Sequence, residues 1–295
     1  MTNLEFYKQY SLFTYPGLYE PELRKLPDDV REIGLMVRQS LIHRTMLEGP
    51  DGRQNPDRRF GDMSQVPWWR QAEDDLLQTA AAMLAELHRR DDRGLVADRA
   101  VPDKLVLTCR YVAILMASIL KAKGIPARVR AGNVPYFDMG TLGPVSTDHW
   151  VNQYWSDKEE RWVTIDVDGS LSLNEDFDPY DMPAGKFDFP ADAWLGIRSG
   201  KLDPDHFYNA GGFRGLVVVA WGLFYDFHSL MNSEIIYLHH PQLAMLDNFK
   251  QLDEAQLAQI DKLAELMTDP DKKFDALRDI WENKPEYRLL KGSLL

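Results

Sequence analysis

Apolar residues recur at helical spacing in the first and last parts of the chain. A helix over 28–43 is predicted from one buried face with positions three to four apart: Leu26, Val30, Ile33, Val37 and Leu41. The same spacing predicts helices over 71–89 and 253–267, and Pro270 is expected at the first position of a last helix. Residues 213–238 are mostly apolar and are predicted to form a largely buried helical segment. Both ends of the chain are therefore expected to be helical.

The middle of the chain carries its most uniformly apolar helical pattern. The segment from Cys109 to Lys123 is apolar on nearly every side, which predicts a buried helix. Thr108 is a favourable N-cap residue, and Gly124 followed by Pro126 ends the helix. These boundaries place Cys109, which is the only cysteine of the chain, at the first helical position.

Alternation of apolar and polar residues predicts strands on the C-terminal side of this helix: 127–133, 149–155 and 161–166. The polar residues 156–160 form a turn that joins the last two strands as a hairpin. We therefore predict an α+β fold in which the buried helix carrying Cys109 packs on a small antiparallel sheet, with additional N- and C-terminal helices.

Cys109 at the start of a helix is a candidate nucleophile. The positive end of the helix dipole stabilises a thiolate, and the pKa of a thiol at such a position can fall to about 3.5–7.5. The alternative is a structural cysteine, because free cysteine is among the residues most often simply buried. The position of Cys109 alone does not decide between the two.

The predicted hairpin brings a histidine and an aspartate within reach of each other. His149 lies near the outer end of one strand, and Asp166 lies at the end of the next. An aspartate beside a histidine fixes the imidazole tautomer and stabilises its charged form, so the histidine can take a thiol proton and later protonate a leaving group. Cys109, His149 and Asp166 are therefore the candidate catalytic residues.

Charge and cysteine content exclude several classes of partner and site. The formal net charge is -12 at pH 7, which argues against nucleic acid or an anionic membrane surface as the main partner. A single cysteine rules out an internal disulfide and a cysteine-rich zinc site. The other candidate metal ligands are His206, His239 and His240. No third ligand stands at a spacing typical of a metal site beside them. We therefore expect no metal and no cofactor.

The chain carries no pattern of export or membrane insertion. Its first residues have neither a basic region nor a continuous apolar region, so no signal peptide is predicted. The longest apolar run, from Leu216 to Tyr225, is about half the length that spans a bilayer. A free thiol without a disulfide fits a reducing compartment. We expect a cytoplasmic protein.

Three motifs follow one another in the middle of the chain. The first is Thr108–Arg110 with the apolar helix and the run Gly124–Arg128 that follows it. The second is His149–Trp150, and the third is Trp162 four residues before Asp166. Together they resemble the motifs of the transglutaminase-like superfamily of papain-like thiol enzymes. A weaker likeness, in the segment 224–235 among others, points to a bacterial branch of transglutaminase-domain proteins with mostly unknown substrates.

The resemblance implies a role for each of the three candidate residues. Cys109 would be the nucleophile, His149 the general base and acid, and Asp166 the residue that orients the histidine. Asp168 is the reserve candidate for the orienting role, because it lies two residues further along the same strand. The resemblance also implies an oxyanion hole made by the Cys109 backbone N–H and one upstream side chain, for which the candidates are Gln65, Trp68 and Trp69.

The resemblance also suggests how the chain is divided. We expect a single integrated domain over 1–295, with a transglutaminase-like core at about 100–170. A helical part over 1–99 would precede this core, and a helical part over 213–295 would follow it. The long irregular stretch 46–69 is punctuated by glycine and proline, and a loop of this length is uncommon unless it is functional or disordered.

The favoured interpretation is a cysteine-dependent acyl-transfer enzyme acting on a peptide, amide or other acyl substrate. An acyl-thioester on Cys109 would pass to water in an amidase or peptidase, or to an amine in an amide-forming transferase. The alternative is a catalytically silent binding or scaffold protein that keeps the fold. A thiol sealed from solvent, or a His149 turned away from it, would favour the alternative.

Overall fold

The computed structural model describes residues 2–44, 63–137, 143–169, 177–237 and 239–288. Within these ranges the α-helices are α1 (Asn3–Lys8), α2 (Glu20–Leu23), α3 (Val30–Ser40), α4 (Glu73–Leu76), α5 (Ala80–Arg90), α6 (Cys109–Ala122), α7 (Pro190–Arg198), α8 (Leu216–Leu230), α9 (Leu246–Phe249), α10 (Glu254–Met267) and α11 (Phe274–Asn283). The strands are β1 (Leu41–His43), β2 (Leu105–Leu107), β3 (Ala127–Val134), β4 (Ser146–Ser156), β5 (Arg161–Ile165) and β6 (Phe207–Tyr208). Helices and strands thus form the α+β fold predicted from the sequence.

The strands form two sheets of different kinds. β1 and β2 are a short parallel pair. In the larger sheet β4 is the central strand, antiparallel to β3 and to β5. β6 pairs in parallel with the beginning of β4. The predicted hairpin of β4 and β5 is confirmed, and its turn occupies 157–160.

The helix that carries the cysteine is buried along its whole length. Every residue of α6 is buried, as its uniformly apolar sequence predicts. It packs on β4, where the Asn152 side-chain amide donates a hydrogen bond to the Ala113 carbonyl over 2.8 Å. The helix ends where Gly124 takes a left-handed φ of 77°, a conformation that favours glycine.

One cluster of buried apolar side chains extends through the N-terminal, central and C-terminal parts of the chain, from Tyr7 to Tyr287. A buried ion pair also joins β3 to α8, because Arg130 Nη2 lies 2.7 Å from Asp226 Oδ2. The proposed division into a core with two helical parts stays a prediction. In the part of the chain that the structure describes, no helix combines the length and apolarity needed to cross a bilayer.

Several predicted helices have different limits. The helix predicted over 28–43 ends at Ser40, because its last three residues pair with β2. The helix predicted over 71–89 is divided into α4 and α5, with Thr79 capping the second through its hydroxyl. The last helix begins at Phe274, so Pro270 is not its first residue.

Two further differences lie in the C-terminal half. Among the described residues of the segment predicted over 213–238, only α8 is helical, and residues 231–237 form no helix. The helix α7 was not predicted, because its sequence shows no clear periodicity. By contrast, the helix predicted over 253–267 is present as α10, and a capping box in which Asp253 and Gln256 exchange hydrogen bonds marks its start.

Candidate active site

The parallel strands β1 and β2 fix a histidine beside the start of the cysteine helix. His43 is the last residue of β1 and lies opposite Leu107 in the register of the pair. β2 ends at Leu107, and α6 begins two residues later at Cys109. Because β1 follows α3 directly, the position of His43 is set by the packing of a helix and by strand pairing.

Cys109 occupies the predicted position at the first residue of α6, and its side chain is 6% exposed. Burial alone would raise the pKa of this thiol. Hydrogen bonds to the imidazoles of His149 and His43, together with their charge, outweigh burial and lower the pKa below its ordinary value. The thiol is therefore disposed to ionise between two histidines.

His149 and Asp166 form the pair that the hairpin predicts. Nε2 of His149 lies 2.9 Å from Oδ1 of Asp166, and both side chains are buried. Burial would lower the pKa of His149, but the Asp166 charge and the hydrogen bonds to Asp166 and Cys109 raise it well above its ordinary value. The structure thus brings together all three residues predicted from the sequence.

Asp166 is held in place by hydrogen bonds that favour its charged form. The Tyr136 hydroxyl donates to Oδ2 over 2.6 Å, and the Gly169 backbone N–H donates to Oδ1 over 2.7 Å. Although burial opposes ionisation, the His149 charge and these hydrogen bonds lower the pKa of Asp166. A Cβ at Gly169 would overlap Oδ2 of Asp166, so the turn after β5 requires glycine here.

Asp168 lies beside a different histidine from Asp166. Its Oδ2 is 3.9 Å from Nε2 of His43, and the carboxylate is buried. Burial would lower the pKa of His43, but the Asp168 charge and a hydrogen bond to Cys109 raise it. The reserve role considered for Asp168 on the His149 side is therefore not the one its position supports.

In the described ranges, the candidate metal-ligand atoms gather at one group only, formed by His43, Cys109 and Asp168. These ligand atoms lie within 4.8 Å of one another, and their types suit Zn²⁺. The histidines considered from the sequence lie elsewhere, and His240 stacks on Trp221 with ring centroids 4.8 Å apart. The expectation of a protein without a metal stays a prediction.

A tyrosine hydroxyl that the sequence did not suggest lies at the thiol. The hydroxyl of Tyr237, from the segment after α8, is 3.4 Å from Sγ of Cys109. The three side chains considered from the sequence as oxyanion donors, Gln65, Trp68 and Trp69, are solvent-exposed. The first part of the loop predicted over 46–69 lies outside the described residues.

The N-terminus of α6 keeps a backbone donor next to the thiol. Thr108 is the N-cap residue as predicted, but its hydroxyl makes no capping hydrogen bond. Its backbone N–H donates instead to Oδ1 of Asp74 over 3.0 Å. The N–H of Cys109, as the first of the helix, has no acceptor within the helix. This N–H and the Tyr237 hydroxyl, which lies 3.4 Å from the sulfur, are donors that an oxyanion could use.

Sequence reasoning found Cys109, His149 and Asp166 but missed His43 and Tyr237. His43 ends an apolar run that reads as helix, so no spacing marked it. Tyr237 lies far along the chain in an irregular segment without a periodic signal. Both are brought to the thiol by tertiary contacts alone.

Comparison with known proteins identifies the middle of the chain. Residues 84–167 match the family model described as the transglutaminase-like superfamily. No curated protein and no solved structure matches the chain. The matched range begins in α5, contains Cys109, His149 and Asp166, and leaves out His43, Asp168 and Tyr237. The bacterial branch suggested by the sequence stays a prediction. Residues 84–167, which contain the cysteine helix and the β4–β5 hairpin, are thus similar to the transglutaminase-like superfamily.

Proposed function

We propose that the protein is a cysteine-dependent acyl-transfer enzyme of the transglutaminase-like type. The observation that carries this proposal is the His149–Asp166 pair, 2.9 Å apart, hydrogen-bonded to a thiol at the start of α6. A thiol with a lowered pKa beside a carboxylate-backed imidazole has the parts of an activated nucleophile. The substrate class is a peptide, an amide or another acyl compound.

In the first step the Cys109 thiolate attacks the acyl carbon of the substrate. A C–S bond forms, the C–N bond of the amide breaks, and the His149 imidazolium gives its proton to the departing nitrogen. Asp166 keeps the imidazole oriented and stabilises its charged form. The product of this step is an acyl-thioester on Cys109.

The negative charge that develops on the substrate oxygen needs hydrogen-bond donors. In this proposal the Cys109 N–H and the Tyr237 hydroxyl supply them, because both lie next to the sulfur. Tyr237 would replace the upstream side chain that the family resemblance led us to expect. The pKa of Tyr237 is raised well above its ordinary value by burial and by the Cys109 charge, so its hydroxyl stays protonated as a donor.

In the second step the acyl group leaves Cys109 for water or for an amine. Water as acceptor gives a hydrolase, and an amine gives an amide-forming transferase. With either acceptor a new C–O or C–N bond forms, the C–S bond breaks, and the acceptor's proton passes to an imidazole beside the sulfur, which restores the thiolate and imidazolium of the free enzyme. The acceptor is the open choice within this proposal.

The second candidate function is a silent scaffold that keeps the fold. The burial of Cys109 and the Tyr237 hydroxyl against its sulfur favour this candidate, because a substrate has to reach the sulfur for chemistry to occur. A silent scaffold would leave the thiol unreactive toward acyl probes in the folded protein.

Intact-mass labelling with a panel of acyl-electrophile probes separates the two candidates. We expect the wild type to gain one acyl group, Cys109→Ala to gain none, and His149→Ala to gain it at least 10²-fold more slowly. His88→Ala is a matched control. His88 pairs with Glu22 over 2.6 Å and is not one of the histidines beside the thiol. A folded wild type that no probe labels faster than a cysteine-containing model peptide would favour the scaffold.

A further inference from the structure

The thiol of Cys109 lies between two histidines, and each of them has its own aspartate. His149 is paired with Asp166, and His43 lies near Asp168. Both imidazoles hydrogen-bond with the same thiol. A single pair is sufficient to activate a nucleophile, so the second pair needs an explanation of its own.

The surroundings of Asp168 do not explain it as a structural carboxylate. Its Oδ1 is buried, and no described residue offers it a hydrogen bond. Leaving a buried carboxylate oxygen without a hydrogen bond is costly, and such atoms often have a functional cause. Arg38 comes within 3.8 Å of Oδ1, but its Nε donates to the Asp168 main-chain carbonyl over 2.9 Å. The imidazole of His43 is thus the other cationic partner within reach of this carboxylate.

Strand pairing also fixes the position of His43, although this residue lies at the end of a short strand. The parallel pairing of β1 with β2 sets it directly before the start of the cysteine helix. Its side chain is 20% exposed, whereas that of His149 is 2% exposed. His43 is therefore the more exposed of the two histidines that interact with the thiol.

We propose that His43, oriented by Asp168, is a second catalytic base that takes the proton of the acceptor when the thioester is opened. The inference rests on the proposed acyl transfer through Cys109. With water as acceptor, an O–H proton passes to His43, a C–O bond forms and the C–S bond breaks. The products are the free acid, the Cys109 thiolate and the His43 imidazolium. That proton then returns to His149 by way of the sulfur, because both imidazoles hydrogen-bond with it.

The state of each histidine after the first step supports this division of work. His149 has just given its proton to the departing amine and faces that product. His43 lies beside Asp168 and gives no proton in the first step. Its neutral imidazole is therefore available as a base at the moment when the acceptor needs one.

A metal ion on His43, Cys109 and Asp168 is the competing reading of the same residues. It would occupy the sulfur lone pairs that the nucleophile needs, and it would require a neutral His43. The placement of a carboxylate beside each of the two imidazoles, Asp168 beside His43 and Asp166 beside His149, favours the acid–base reading. The test below includes the metal as one of its outcomes.

The two steps can be separated with p-nitrophenyl esters as substrates. Release of p-nitrophenolate reports acylation of Cys109, and intact mass follows the loss of the acyl group from the enzyme. We expect His43→Gln to keep a burst within about tenfold of the wild-type rate and to release the acyl group about 10²-fold more slowly. His149→Gln is expected to lose the burst. Asp168→Asn should share the slow release, and added imidazole should restore release in His43→Ala. His88→Gln, a histidine paired with Glu22, is the control for both steps.

Each contrary result has a distinct meaning. A normal release rate in His43→Gln, beside a wild-type burst, would overturn this inference and leave the proposed function standing. Loss of the burst in His43→Gln to the same extent as in His149→Gln would also overturn it, since both histidines would then serve acylation. A wild type that neither releases p-nitrophenolate faster than Cys109→Ala nor forms a thioester would overturn the proposed function. Turnover that a chelator abolishes and Zn²⁺ restores would assign the cluster to a metal.

Discussion

The imidazole of His149 donates a hydrogen bond from Nε2 to Oδ1 of Asp166 over 2.9 Å. A carboxylate can only accept, so the hydrogen is on Nε2 and Nδ1 is left to face the Cys109 thiol. Asp166 is itself fixed by Tyr136 and Gly169. The Asp166 carboxylate, which these two hydrogen bonds hold in place, therefore selects the tautomer of His149 that can accept a thiol proton.

Asp166→Asn tests this selection of the tautomer. Asparagine keeps the size of the side chain but no longer favours the charged imidazole, and the equivalent change in a serine-protease triad lowers kcat about 10⁴-fold. We expect kcat/KM of the reaction found by probe labelling to fall by at least about 10²-fold. Asp178→Asn is the control, because Asp178 forms an exposed ion pair with Arg31. Equal activity of Asp166→Asn and wild type would contradict the orienting role.

Gly169→Ala tests the turn that holds the carboxylate. The added Cβ would overlap Oδ2 of Asp166, so either the turn or the carboxylate has to move. Overpacking of this kind costs about 1–3 kcal/mol in the free energy of unfolding, which urea denaturation measures. We also expect slower labelling of Cys109. Gly222→Ala in α8 is the control, because its Cβ would meet only Pro190 at ordinary contact distance. Matching unfolding curves and labelling rates for the two variants would contradict the prediction.

The part of the site that could be predicted from sequence is the part that local rules determine. The start of α6 follows from a capping residue and an apolar run, and this fixes Cys109. The turn between β4 and β5 follows from a polar run, and this brings Asp166 to His149. The fold class follows from the same signals, since the helix and the hairpin are its centre.

The rest depends on contacts between distant segments. His43 reaches the thiol because β1 pairs with β2, and a three-residue strand at the end of a helical pattern leaves no periodic signal. Asp168 was expected on the same face as Asp166, but β5 ends at Ile165 and the chain turns. Side chains two residues apart share a face in a strand but not in a turn. Asp166 therefore lies beside His149, whereas Asp168 lies beside His43.

Tyr237→Phe separates two roles of the hydroxyl that lies 3.4 Å from Sγ of Cys109. If the hydroxyl stabilises the oxyanion, its removal should lower kcat by about 10²–10³-fold with little change in KM. Tyr225→Phe is the control for the loss of a neighbouring hydroxyl, because the Tyr225 ring packs against Tyr237 while its hydroxyl lies 3.4 Å from Nε2 of His240. Faster labelling of Tyr237→Phe than of wild type, with no loss of kcat, would instead mean that the hydroxyl only shields the thiol.

The pH dependence of Cys109 alkylation tests the electrostatics of the whole site. The thiol pKa is lowered, so the rate of reaction with iodoacetamide should reach its plateau at lower pH in the folded protein than in urea. The unfolded chain is an internal control, because Cys109 is its only thiol. Turnover should fall as pH rises through the raised pKa of His149, because the imidazolium that protonates the leaving group is then lost.

The same shifts have opposite consequences for stability. The raised pKa of His149 gives stability that is complete below its unfolded value, about 6.5, and is lost as pH rises through the folded value. The lowered pKa of Asp166 gives stability that is present above about 3.9 and is lost as pH falls through the folded value. Urea titrations of wild type and His149→Gln should therefore differ most at neutral and mildly acidic pH and converge at high pH. A difference that stays constant with pH, together with equal alkylation profiles for folded and unfolded chains, would mean that the thiol and His149 do not form the ion pair on which acyl transfer depends.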